Sequence, residues 1–248
     1  MVERQISSQF VHYVKEQADI LERLVKKKGR LLSPKEVHDL RVVTRRLRAS
    51  LVLLNDQPDQ THLLKLYRTL SKLGKALGAQ RELDVALQDA RHYSLDTSDL
   101  RKSHRKLRDK VRDKLNSKRR KRIFRQLRKI NTDLQSRKTI RLEKAFDRHL
   151  KEANRWKHQE LKDLKQLHEL RIAIKKFRYA LEALGRPVQP LRKLQNLLGR
   201  VHDLEILQRS VGRNAAVSLD QASTLTKAKR LVRPALQFTE SQIQSIIH

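Results

Sequence analysis

The chain has 248 residues, with 58 Lys and Arg against 27 Asp and Glu, a formal net charge of +31 and a pI near 11.0. Such a charge repels itself unless something negative is near, so the expected partners are nucleic acid, an anionic membrane surface or inorganic polyphosphate. Without cysteine, disulfides and thiolate metal sites are excluded, and nowhere does the chain approach the ~20 apolar residues of a membrane span.

Met1 to Lys15 has no apolar core of signal-peptide length, so a soluble, cytoplasmic chain with no membrane partner is expected. The hydrophobic fraction of 38% still allows a core, built from aliphatic residues because aromatics make up only 4%. Six glycines and five prolines leave few breaks in regular structure, which predicts an all-α fold of long helices. Phe10, Val14, Gln17, Leu21, Leu24 and Val25 recur at helical spacing, and the cluster Lys26 to Arg30, with Gly29, is predicted to close this first helix. Ser33 then serves as N-cap of a second helix, with Pro34 at its first position and Glu36 completing a capping box. Leu40, Val43, Leu47, Leu51 and Leu54 carry that helix to Asn55, and Asp56 to Asp59, with Pro58, form the following turn.

A third helix is predicted from about Thr61 to Leu77, stopped by Gly78, and a fourth from Glu82 to Tyr93. More than half of residues 101 to 129 are Lys or Arg, which in isolation suggests a disordered tail. Leu107, Val111 and Leu115, then Ile123, Leu127, Ile130 and Leu134, nevertheless keep a helical period, so two basic helices broken near Asn116 and Ser117 are predicted. Further helices follow from Ile140 to about Leu164 and from Leu167 to Leu184, the latter ended by Gly185 and Pro187. Leu191 to Leu198, Asp203 to Val211 and Leu219 to the C-terminus complete the series, with Pro234 expected to kink or split the last.

The sequence repeats. The eleven residues from His38 to Arg48 align with those from His168 to Arg178, matching at every basic position and at every apolar position of the first copy. Downstream, Leu73 to Leu87, with Leu77-Gly78 and Glu82-Leu83-Asp84, pairs with Leu194 to Leu207, with Leu198-Gly199 and Asp203-Leu204-Glu205. At about 100° per residue, His38, Arg41, Arg45 and Arg48 fall within an arc of roughly 80°, opposite Leu40, Val43, Leu47, Leu51 and Leu54. His168, Arg171, Lys175 and Arg178 take the same places opposite Leu170, Ala173, Phe177, Leu181 and Leu184. Each stripe is ~15 Å long, enough to follow several consecutive phosphates. Arg46 and Lys176 lie about 100° off the stripes and are expected to reach the acids Glu82 and Asp84, or Asp203 and Glu205.

This doubled H-x-x-R-x-x-x-[RK]-[RK]-x-R pattern, each copy followed by Leu-Gly and then acidic-Leu-acidic, resembles the CHAD domain, the conserved histidine α-helical domain, over nearly the whole chain. The resemblance implies a single domain over 1–248 made of two pseudo-symmetric four-helix bundles, repeat 1 about 7–135 and repeat 2 about 140–248. It further implies binding of inorganic polyphosphate at a central basic groove or pore, and association with polyphosphate granules. Carried over by position, the binding residues are His38, Arg41, Arg45, Arg46 and Arg48, with His168, Arg171, Lys175, Lys176 and Arg178; Arg101, Arg105, Arg108 and Arg112 on an adjacent helix add to the surface. The family is often fused to a triphosphate-tunnel enzyme with an E-x-E-x-K motif. That motif is absent from this sequence, so a standalone binding unit without cofactor, metal site or catalytic residues is expected.

A basic stripe on one helix is usually a solvated face, but solvation does not require His and Arg at the same offsets twice, whereas phosphate suits the forked donors of Arg and the compact charge of Lys. The histidines are either direct phosphate donors or orienting groups at the helix start. The run Lys118 to Arg122 equally suits nucleic acid, which is the second partner considered, although few aromatics are present to stack bases. A third reading, a phosphatase or phosphotransferase using His38 or His168, lacks a Gly-rich phosphate loop and an evident general base. The acids Glu82, Asp84, Asp203 and Glu205 are expected to pair with Arg or cap helices rather than hold a metal. Nothing in the sequence fixes an oligomeric state.

Overall fold

Local rules set the helix starts. In the computed structural model of the protein, which describes residues 2–26, 32–54, 61–136, 140–161 and 163–247, Ser33 Oγ accepts from the Glu36 backbone N–H at 3.2 Å, and Glu36 Oε2 accepts from the Ser33 N–H at 3.0 Å. This is the capping box expected from the sequence. Asp163 does the same work for the second copy, its Oδ1 accepting from the Gln166 N–H at 2.7 Å. Both caps stand five residues before the motif histidine, so the two motifs enter their helices at the same point.

Among the described residues the chain is helical with no strand: α1 Val2–Lys26, α2 Pro34–Leu53, α3 Thr61–His92, α4 Ser98–Lys114, α5 Ser117–Ser136, α6 Glu143–His158, α7 Leu164–Glu182, α8 Gln189–Val211 and α9 Ala215–Ile247. Several boundaries differ from the sequence reading. Gly78 does not stop α3, and Gly199 does not divide α8. A glycine ends a helix when it takes a left-handed φ, and among the described glycines only Gly185 at 65° and Gly212 at 87° do so. α6 starts at Glu143 instead of Ile140, whose backbone N–H donates to the Ser7 hydroxyl at 3.1 Å and whose C=O accepts from it at 3.2 Å. α9 runs through Pro234 as one helix, so of the expected kink or split the split does not occur. The predicted stop at Gly29 and the turn at Asp56 to Asp59 lie outside the described residues.

The chain forms two compact units. The first comprises residues 1–85 and 98–142 and holds α1, α2, most of α3, α4 and α5; α1 packs on α2 and on α5. Its core is the apolar series read from the sequence: Phe10, Val14 and Leu21 of α1, Leu40, Val43 and Leu47 of α2, Leu66, Leu70 and Leu77 of α3, and Ile123, Leu127 and Ile130 of α5 are all buried. The second unit, residues 86–97 and 143–248, takes the end of α3 with α6 to α9; α9 packs on α8 and α6, and α7 on α8. Arg200 of α8 fastens the end of α3 here, donating to Asp89 at 2.6 Å, to the Tyr93 hydroxyl at 3.2 Å and to Asp220 of α9 at 3.1 Å, while Tyr93 donates to Asp220 at 2.7 Å. The Tyr93 hydrogen bond, with those from Arg200, holds the Asp220 carboxyl below the usual range.

In the second unit Trp156, Phe146 and Phe177 fill the core, and His149 sits between two of them, its ring 6.2 Å from Phe146 and 5.7 Å from Phe177 in edge-on contact. Burial, with Lys176 and Arg148 nearby, pushes its pKa down to about 4. The unfolded chain therefore takes up a proton near pH 6.5 that the folded one refuses until about pH 4, and stability falls as pH descends through that interval. The loss attributable to this residue is about 2 kcal/mol at pH 5. Denaturant titrations at pH 7 and pH 5 should show it in the wild type and lose this component in His149→Leu.

Candidate functional site

Helix α2 is buried along Leu40, Val43, Leu47 and Leu51, which turns Arg41, Arg45, Arg46 and Arg48 to half-buried positions and leaves His38 exposed at the N-terminal end. The α3 glycines explain how closely these side chains approach. A Cβ at Gly74 would lie 3.2 Å from Arg48 Nη1, and one at Gly78 would lie 4.0 Å from Arg41 Nε, so the absence of side chains on α3 makes room for the guanidinium groups of α2. Beyond Gly74, Arg48 stacks over the Tyr67 ring at 5.4 Å. Partial burial, and the charge of Arg81 on α3, push His38 below the ordinary imidazole value; Asp39 pulls the other way, and Arg41 and Arg45 add to the depression.

The second unit repeats the plan with different details. Leu170, Ala173, Phe177 and Leu181 bury one face of α7, His168 is exposed and Lys175 is half-buried. Opposite them stands His202 of α8, its ring 5.4 Å from that of His168. Burial, then Arg171, His168, Lys175 and Arg209, push His202 down to about 4. Neither Arg81 nor His202 figures among the residues expected from the sequence. Both stand three residues after the Leu-Gly pair, at one aligned position, so the repeat carried the signal.

Other expected site residues are engaged within their own units. Arg178 is buried: it donates to Glu182 and to Gln195 at 2.8 Å, and lies 4.2 Å over the Tyr179 ring. Lys176 does not pair with the α8 acids as expected; its ammonium meets Glu152 of α6 at 3.2 Å, because its position beside the stripe faces α6. Glu205 pairs with Arg209 of its own helix, and its other oxygen lies 3.7 Å from His202 Nδ1. Asp84 Oδ1 lies 2.7 Å from His104 Nε2, a hydrogen bond that ties α4 to α3 one turn from Arg81. Arg101 and Arg108 stand about one turn either side of His104; Arg108 is half-buried, Arg101 and Arg105 are exposed, and Arg112 pairs with Asp109 at 3.3 Å. Among the described residues no three His, Asp or Glu side chains are placed to hold a metal ion together, and no helix is long and apolar enough to cross a membrane.

Fold and site together define an all-helical protein whose two units each present one helix that is apolar on one side and cationic on the other. The chain belongs to the CHAD domain family, whose profile matches residues 12–212. Its fold is similar to the crystal structure of the CHAD domain from the plant Ricinus communis, at 23% identity over 96% of this chain and 91% of that one, with a TM-score of 0.65. It is also similar to PptA from Streptomyces chartreusis, at 16% identity over 96% and 99% of the two chains, with a TM-score of 0.53. A search of curated proteins by sequence returns no match.

An anion seated among Arg171, Lys175 and His202 should raise the depressed imidazole, since it favours the protonated ring. In histidine NMR titrations, His202 should stay neutral to well below pH 6.5 in the protein alone, and its midpoint should move upward when pyrophosphate is added.

Proposed function

We propose that the protein binds inorganic polyphosphate through the cationic faces of α2 and α7, and does so without chemistry on the polymer. The observation that carries this reading is the repeated arrangement within each unit: a row of basic residues backed by a buried apolar seam, with a further cation-forming group, Arg81 or His202, at one aligned position opposite. Rigid helices hold these donors in place before any ligand arrives, which lowers the ordering cost of binding. Guanidinium forks and ammonium groups spaced one turn apart suit successive phosphoryl oxygens of a linear polymer.

Each exposed contact is worth only about 0–1 kcal/mol, so affinity arises from their number and from release of counterions condensed on the polymer. With ~6–10 phosphates engaged, affinity should drop by about 10³–10⁵ between 50 and 200 mM salt, if polyphosphate follows the nucleic-acid relation. A titration across that range checks it.

Arg45 and Lys175 test the site directly, because both are half-buried on the stripes and neither backs the core. Arg45→Glu combined with Lys175→Glu should abolish polyphosphate binding with the circular dichroism of the helices unchanged. Competition with duplex DNA at equal phosphate concentration separates this reading from general nucleic-acid binding: long-chain polyphosphate should stay bound.

A further inference from the structure

The first unit carries a second basic surface that the α2 stripe does not account for. Two adjoining hollows, of about 610 and 690 Å³, lie between the first half of α3 and the start of α5, and Arg119 and Arg122 line both. One wall is supplied by Lys65, Arg68 and Lys72 of α3, the other by Arg119, Arg122 and Arg125 of α5. These side chains follow from the same helical logic as the stripes. Leu63, Leu66 and Leu70 bury the opposite side of α3, and Leu127 and Ile130 that of α5, while the buried Leu73 and Ile123 reach the floor of the trough that the basic residues wall.

Among the described residues no Asp or Glu lines either hollow, and none of these six cations has a carboxylate partner. Elsewhere on the surface the protein does neutralise such groups, as with Arg112 and Asp109, Lys102 and Asp99, and Lys26 and Glu22. Six like charges gathered around open space without a counter-charge are costly unless an anion shares that space. The trough also has a neighbour. Tyr67, which lines one hollow, is the ring on which Arg48, the last arginine of the α2 stripe, is stacked. The stripe therefore runs into the trough, and Lys65 to Lys75 adds ~15 Å of basic helix face to it.

We infer that this α3–α5 trough is a second binding segment for linear polyphosphate, occupied by the continuation of a chain that begins on the α2 stripe, so that the protein favours long polymers over short ones. The inference rests on the function proposed above. It adds a surface and a length preference to it. Aromatic groups suited to stacking bases are nearly absent from the trough, Tyr67 being covered by Arg48, which argues for phosphate chains over single-stranded nucleic acid.

Lys72→Glu combined with Arg122→Glu reverses one exposed charge on each wall, and Lys72→Gln with Arg122→Gln removes both more gently; the thermal midpoint and helicity of each variant establish that it is folded. Binding of long-chain polyphosphate and of tripolyphosphate is then measured on the full chain. Long-chain affinity should fall at least about tenfold in the reversal variant, and its salt slope should shrink by about two, near one for each phosphate no longer engaged. Tripolyphosphate, short enough to be held by the stripe, should bind within about twofold of wild type. Unchanged long-chain affinity, or an equal loss for both ligands, would overturn the length preference and the separate segment while leaving polyphosphate binding itself standing. A loss confined to duplex DNA would assign the trough to nucleic acid instead. Wild-type protein that binds neither polyphosphate would sink both this inference and the function on which it rests.

Discussion

The apolar seams of α2 and α7 decide where every cation of the two rows stands. Leu40, Val43 and Leu47 on one helix, and Leu170, Ala173 and Phe177 on the other, are excluded from water almost completely, so neither helix can rotate without exposing them. A turn of one residue, about 100°, would drive arginines into the core at a cost of several kcal/mol per charge. The positions of His38, Arg41, Arg45 and Arg48 are in this sense a by-product of packing. Donors whose places are set by a core in this way would need little reorganisation to meet an anion.

Within that shared frame the two units have divergent electrostatics. The first sets Arg81 against its histidine, and among the described residues Arg45 and Arg48 have no carboxylate partner, so most of its row is charged at any physiological pH. The second neutralises Arg178 with Glu182 and Lys176 with Glu152, and sets His202, largely uncharged at neutral pH, where the first has arginine. Burial and cationic neighbours depress an imidazole in each unit, His38 in the first and His202 in the second, so an anion placed beside either would favour its protonated ring.

Much of this was readable in the residues. Helical period located the buried faces of α2, α5 and α7, and the Ser33–Glu36 capping box fixed the start of α2 to the residue. Asp163, the equivalent cap of α7, stood in the sequence with the same offset from its histidine, so the start of that helix was recoverable from the repeat even though no capping box marks it. Glycine was the ambiguous signal. Gly78 and Gly185 look alike in sequence, but one stays within α3 near the arginines of α2 and the other turns the chain with a left-handed φ. Which role a glycine plays depends on what packs against it, and that is a tertiary fact. The same applies to Arg178 and Lys176: their spacing placed them correctly on α7, while their commitment to Glu182 and Glu152 follows from partners on neighbouring turns and helices.

A formal charge of +31 on 248 residues makes the folded state a compromise between apolar burial and self-repulsion. Repulsion would be smallest if the cations were spread evenly and paired with the 27 acids; instead the α2 row aligns its cations on one face, and the α3–α5 trough gathers ten Lys and Arg with no acid among its lining residues. These gatherings exist only when the helices are packed, since the unfolded chain disperses the same charges along its length. An anion that recognises them therefore binds the folded state in preference to the unfolded one, and by linkage stabilises it as RT ln(1 + [L]/Kd). The clustering that costs the isolated protein stability would thus be the property that couples its folding to such an anion.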